Sequence, residues 1–291
     1  INFFKENSDK FQFTKASDVF ISVVTVYFFL EILNINTSKK MFFIFFYVPL
    51  FLPMLIIQSR GSYVGIIIFT ILVLYFERRF LLANKKLIFL YLLFSILVFS
   101  ISTFRSSGQK LNTEITPAKI TEQVQTNSEV KDTRKAFLTF YIEDGRLFSK
   151  DETTNWRLDI WQDVTYDLFE ENRFHTGYGY KSIIPQMLDP TAPGRLGRDG
   201  LNENVHNYFV NILARGGVVQ LIIFMLFHYS YIKIWKTKFK NYEILMLFIP
   251  AMINSGLDIT MEGVQFPFIY YSMLGILFNL NHYLDKFKNT T

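Results

Sequence analysis

The chain has 291 residues, half of them hydrophobic, with 33 Phe, 16 Tyr, no Cys and a formal charge of +5. This apolar excess excludes an ordinary soluble core, and the lack of Cys excludes a disulfide framework, a Cys-bound zinc site and a thiol nucleophile. The basic residues stand in short clusters beside apolar runs, so the positive charge points to membrane lipid and not to nucleic acid.

In chain order, about seven apolar runs approach the roughly 17–25 residues needed to cross a bilayer. They are Val19–Ile35, Met41–Ile57, Tyr63–Phe76, Leu87–Phe104, Val218–Ile234, Ile244–Leu257 and Phe266–Leu284. The third and sixth are short, and Pro250 predicts a kink in the sixth. Lys39 and Lys40, then Arg78, Arg79, Lys85 and Lys86, then Lys233, Lys236, Lys238 and Lys240, then Lys286 and Lys288 all fall on one side of a seven-span arrangement. The positive-inside rule makes that side cytoplasmic. The tight turn Gln58–Ser62 and a long segment between spans four and five then face outward. The chain opens at Ile1 without a signal-peptide pattern, and its outward amino end reads as that of a fragment lacking an odd number of earlier spans. The expected organisation is an all-α polytopic membrane protein with spans one to four in residues 1–104, an extracytoplasmic catalytic loop in 105–217 and spans five to seven in 218–291.

Within that loop Arg105–Arg134 is polar, with little apolar surface to bury, and reads as a loop or surface-lying piece. Asn155–Glu171 has helical spacing, with Trp156, Ile160, Val164 and Leu168 on one stripe and Asp159, Asp163, Asp167 and Glu171 on another. The acidic stripe reads as a solvated face before a divalent-cation site, because metals require converging ligands. Turns punctuated by Gly and Pro follow, and then a second short helix near His206–Arg215.

Three outward elements carry candidate chemistry. Ser59-Arg60-Gly61 ends a nearly unbroken apolar run. Arg60 either snorkels to the interface or serves as a phosphate ligand, since a guanidinium offers paired donors and stays charged. Arg157 and Trp161 lie four residues apart on one helix face, ahead of Gly177 and Gly179. The indole would brace the guanidinium or stack on a sugar, and the plainer reading is an interfacial anchor. His206-Asn207 opens the run that ends at Gly217. A histidine at a helix start is disfavoured as a cation by the helix dipole, and a neutral imidazole is what a general base requires; the plainer reading is a loop hydrogen bond. Asn202 or Asn204 is expected to cap that helix.

In this order, Ser59-Arg60-Gly61, Arg157-x3-Trp161 with Gly177-x-Gly179, and His206-Asn207 leading to Gly217 resemble the O-antigen ligase and polymerase superfamily. The resemblance runs from about Phe51 to Leu280 and implies a GT-C-like membrane glycosyltransferase that needs no metal and no cofactor. It implies Arg60 and Arg157 as ligands of the donor diphosphate and His206 as the base, with Ser59, Trp161, Asn207, Gly177, Gly179 and Gly217 in support. The implied donor is an undecaprenyl-diphosphate-linked oligosaccharide and the acceptor a glycan. A flippase and chain-length regulators are the protein partners it suggests. Polymerisation of repeat units at the outer face of the bacterial cytoplasmic membrane is the leading expectation, with a ligase transferring finished glycan to lipid A core or protein as its alternative. A lipid-linked oligosaccharide flippase, with arginines lining a cavity, is the alternative of another class.

Overall fold

The computed structural model describes residues 15–108, 139–197 and 200–288. Most of the polar segment Arg105–Arg134 lies outside them, as do the side chains of Lys286, Lys288 and His282. Two compact units partition the chain, residues 110–229 forming one and the flanking sequence the other.

The flanking unit is helical: α1 (Ala16–Ile32), α2 (Thr37–Gln58), α3 (Arg60–Phe76), the short α4 (Arg78–Ala83) and α5 (Lys85–Gly108) precede the other unit. It resumes within the long α7 (Tyr208–Phe239) and closes with α8 (Leu245–Leu257), a 3-10 turn (Thr260–Glu262) and α9 (Gln265–Lys288). Among the described residues, three helices are long and apolar enough to cross a membrane, α2, α5 over Lys85–Phe104, and α7, while α3 and α8 are apolar but shorter. The all-α membrane reading holds at that level, although length and composition do not reach seven spans. On α5, Leu90, Leu93, Ile96 and Leu97 are exposed within this unit. Such a row of large apolar side chains suits lipid and not water.

Packing in this unit solves two backbone problems. Pro49 and Pro53 lie inside α2, and Pro49 has no N–H to offer the carbonyl of Phe45. The hydroxyl of Ser95 on α5 donates to that carbonyl at 2.6 Å, and the Ser102 hydroxyl adds a second bond between the helices, to the Leu50 carbonyl. On α3, Gly61 and Gly65 let α8 approach closely, since a Cβ on Gly61 would lie 2.8 Å from the Asn254 side-chain oxygen.

One expectation about charge changes. Lys40 was expected at the interface among its basic neighbours, yet it is buried and paired with Glu31 and with Glu77, the latter at 3.0 Å. Its pairing ties the end of α1, the start of α2 and the end of α3 together.

In the unit of residues 110–229 the described residues begin with a hairpin that the all-α expectation lacked: β1 (Phe140–Glu143) pairs antiparallel with β2 (Arg146–Ser149), Phe140 opposite Ser149. Asp144 and Gly145 both have positive φ, as an Asp-Gly two-residue turn requires. Then come α6 (Glu152–Glu170), a 3-10 turn (Pro185–Leu188) and the first part of α7. Asp151 caps α6 by accepting from the Thr154 N–H at 2.9 Å. The apolar stripe of α6 is the core: Ile160, Val164 and Leu168 are fully buried with Ile184, Met187, Val205 and Ala214.

Candidate active site

Ser59, Arg60 and Gly61 occupy a sharper turn than the sequence suggests. Ser59 alone is non-helical, with φ −153° and ψ 113°, and its hydroxyl caps α3 by accepting from Ser62 N at 3.2 Å. Gly61 serves the α3–α8 approach. Arg60, in the first turn of α3, is exposed.

The remaining candidates belong to the other unit. Asn207, and neither Asn202 nor Asn204, caps α7: its side-chain oxygen accepts from the N–H groups of Phe209 (2.9 Å) and Val210 (3.2 Å). The short helix expected near His206–Arg215 begins at Tyr208 and is interrupted at Gly217, so α7 is two helices joined across a kink, the second running on from Val218. His206 stands just before the cap, half-buried, in the left-handed region at φ +54°, a conformation that costs energy for a non-Gly residue and concentrates at functional sites.

Three contacts fix this histidine. The Trp156 ring lies 5.1 Å from the imidazole, centroid to centroid. The Trp161 indole N–H donates to the carbonyl of Val205 at 2.6 Å, so Trp161 grips the chain next to His206. Asn202 Nδ2 lies 3.0 Å from His206 Nε2 and 3.0 Å from the Arg195 carbonyl. Both tryptophans come from α6, which also carries the half-buried Arg157.

The glycines are structural. At the Gly217 break, φ +68° and ψ −174°, the Ala214 and Arg215 carbonyls lose their helical donors and accept instead from Tyr178 (2.7 Å) and Gly179 (2.8 Å). A Cβ on Gly177 would lie 2.5 Å from the Arg215 carbonyl carbon, and one on Gly217 2.2 Å from that of His175. Arg215, buried, donates to the carbonyls of Gly179 (3.3 Å) and Ser182.

The acidic stripe is only partly solvated: Glu171 is exposed, while the other three members have partners in the protein. Asp159 and Asp163 are both paired with Arg146 and with Arg195, and Asp167 accepts from Gln186 at 2.7 Å. Among the described residues no group of His, Asp and Glu is arranged to hold a metal. Burial opposes the charge of Arg195, but its hydrogen bonds to Asp163 and Asp159 outweigh burial and hold it above the usual arginine value. Arg195 was not singled out from sequence; its signal is visible only once the loop folds back on α6.

Apolar helices of membrane-spanning length define a membrane protein. The family profile described as O-antigen ligase matches residues 44–225, more than half of the chain, and the chain belongs to that family. No curated protein and no solved structure matches it.

Proposed function

We propose that this protein polymerises undecaprenyl-diphosphate-linked oligosaccharide repeats, as in O-antigen, capsule or exopolysaccharide assembly. The site faces the outside of the cytoplasmic membrane on a seven-span, GT-C-like frame. The observation that carries the reading is the imidazole of His206, held before the α7 cap by Trp156 and Asn202 on the unit that also bears Arg157. Membership of the O-antigen ligase family supports glycosyl transfer of the ligase or polymerase type.

In the proposed step the acceptor sugar hydroxyl attacks C1 of the donor, the C1–O bond to the diphosphate breaks, and undecaprenyl diphosphate leaves with the electron pair. His206 takes the hydroxyl proton and later passes it to solvent. Arg60 and Arg157 act as diphosphate ligands, stabilising the charge that grows on the leaving group more than the ground state. Direct displacement inverts the anomeric carbon. The step needs no cofactor, because the diphosphate ester holds the driving force.

The second reading, a ligase, is favoured by the description that the family carries. One experiment separates them. Purified protein is given isotope-labelled lipid-linked repeat as both donor and acceptor. Longer lipid-linked chains support polymerisation; product formed only when lipid A core or protein is added supports the ligase. His206→Ala should abolish either product while donor binding persists, and loss of transbilayer movement with transfer intact would point to a flippase.

A further inference from the structure

Asn202, expected as a helix cap, instead makes two contacts that bear on His206. Its Nδ2 is 3.0 Å from the backbone oxygen of Arg195 and 3.0 Å from His206 Nε2. A carbonyl oxygen only accepts, so the amide nitrogen must face Arg195 with one of its two protons. The second proton points at Nε2, which therefore presents its lone pair. A neutral imidazole with a bare Nε2 carries its proton on Nδ1. Were Nε2 protonated, its N–H would stand against an N–H₂ with no acceptor between them.

The amide is itself anchored. Asn202 N donates to the Leu196 carbonyl at 2.8 Å, and Arg195, 2% exposed, is clamped by Asp159 and Asp163 and donates to the Gln186 carbonyl at 2.9 Å. Helix α6 thus holds Arg195, the Arg195 carbonyl aims the amide, and the amide aims at the imidazole.

We infer that Asn202 is a positioning residue for His206, fixing the Nδ1–H tautomer and keeping the ring neutral by setting a donor against Nε2. The inference deepens the proposed role of His206 as base and rests on it for its catalytic meaning. The lone pair of Nε2 is then the one that receives the acceptor proton, and the acceptor hydroxyl takes the place of the amide N–H as it arrives. Charged groups on the elements around His206 include Arg157, Asp159, Asp163 and Asp167 on α6, Arg195 and Glu203 on the preceding loop, and Arg215 on α7. Asp159, Asp163 and Arg195 are engaged with each other, and Glu203 lies 3.9 Å from Arg215. None of these changes in the test.

The test is histidine-selective ¹⁵N NMR on the full chain in nanodiscs, with His206→Gln identifying the His206 signals. Wild type should show the Nδ1–H tautomer, a measurement that needs no variant to fold. Asn202→Asp sets a carboxylate against Nε2 and should raise the His206 pKa by about one unit or more, as an opposite charge at this range does. Asn202→Ala, which removes the donor without adding charge, should raise it less. The acid limb of the transfer rate should move upward with the pKa in each variant. A wild-type Nε2–H tautomer, or a pKa unmoved in both variants, overturns the inference. A pKa that moves while the acid limb stays put upholds the hold of Asn202 on the ring and overturns His206 as the base.

Discussion

Val218 donates its backbone N–H to the Phe174 carbonyl at 2.8 Å, where an unbroken helix would send it to Ala214. Tyr178 fills the vacated Ala214 carbonyl, so loop and helix exchange partners without leaving these groups unsatisfied. The exchange requires Gly217 at φ +68° and ψ −174°, a region open essentially to Gly alone. Gly217→Ala should therefore lose about 1–3 kcal/mol to backbone strain, with a further loss from the clash at His175. Gly179 also has positive φ but has open space around its Cβ position. Gly179→Ala should show only the conformational part, so thermal unfolding should rank wild type above Gly179→Ala and that above Gly217→Ala.

Arg195 and Arg146 share the same two aspartates but differ in exposure, 2% against 43% for their side chains. Removing the buried partner strands charge and also the Gln186 carbonyl, which costs about 3–5 kcal/mol for a buried pair. Arg195→Met should sit near the low end of that range, because Asp159 keeps 37% of its side chain in contact with solvent. Arg146→Met should cost under about 1 kcal/mol, as exposed pairs do. Denaturant unfolding of both variants checks the contrast, and equal losses would remove Arg195 as the keystone.

The helices were legible because their signal is local. Apolar runs placed α2, α5 and α8, and the 3.6-residue stripe of Trp156, Ile160, Val164 and Leu168 placed α6 and its buried face. What escaped depends on partners distant in sequence. Lys40 looks like its neighbour Lys39 until Glu77 folds against it. Asp159 and Asp163 look like a wet face until Arg195 reaches back 36 and 32 residues to them. The bond from the Trp161 N–H to Val205, 44 residues on, has no local signal either. The hairpin is the exception: Asp144-Gly145 between short alternating runs was a readable turn signal.

Glu243, in the link between α7 and α8, gives a pH prediction. Burial, and then the carboxylates of Glu31 and Glu77, push it above the usual glutamate value, while Lys40 pulls the other way. A carboxyl raised in the folded state favours folding while protonated, and that contribution fades as pH climbs through the raised value. Glu243→Gln keeps a neutral side chain at every pH. Its thermal stability relative to wild type should therefore improve as pH rises from the ordinary glutamate range and level off above the raised value; a difference constant at every pH would reject the raised carboxyl.

The grip of Trp161 on Val205 predicts a purely kinetic variant. Trp161→Phe keeps an aromatic body in the core beside Ile160 and Val164 but removes the donor that meets the Val205 carbonyl at 2.6 Å. One hydrogen bond contributes about 1 kcal/mol net, and spent on holding His206 in its strained left-handed conformation it translates into roughly a fivefold change in rate. The loss should fall on kcat, because the indole N–H addresses the protein backbone and no donor or acceptor group. Donor affinity, read by binding of a polyprenyl diphosphate, should hold. A fall in donor affinity with kcat unchanged would instead make Trp161 part of the binding surface, returning the indole to the sugar-stacking role that its spacing from Arg157 first suggested.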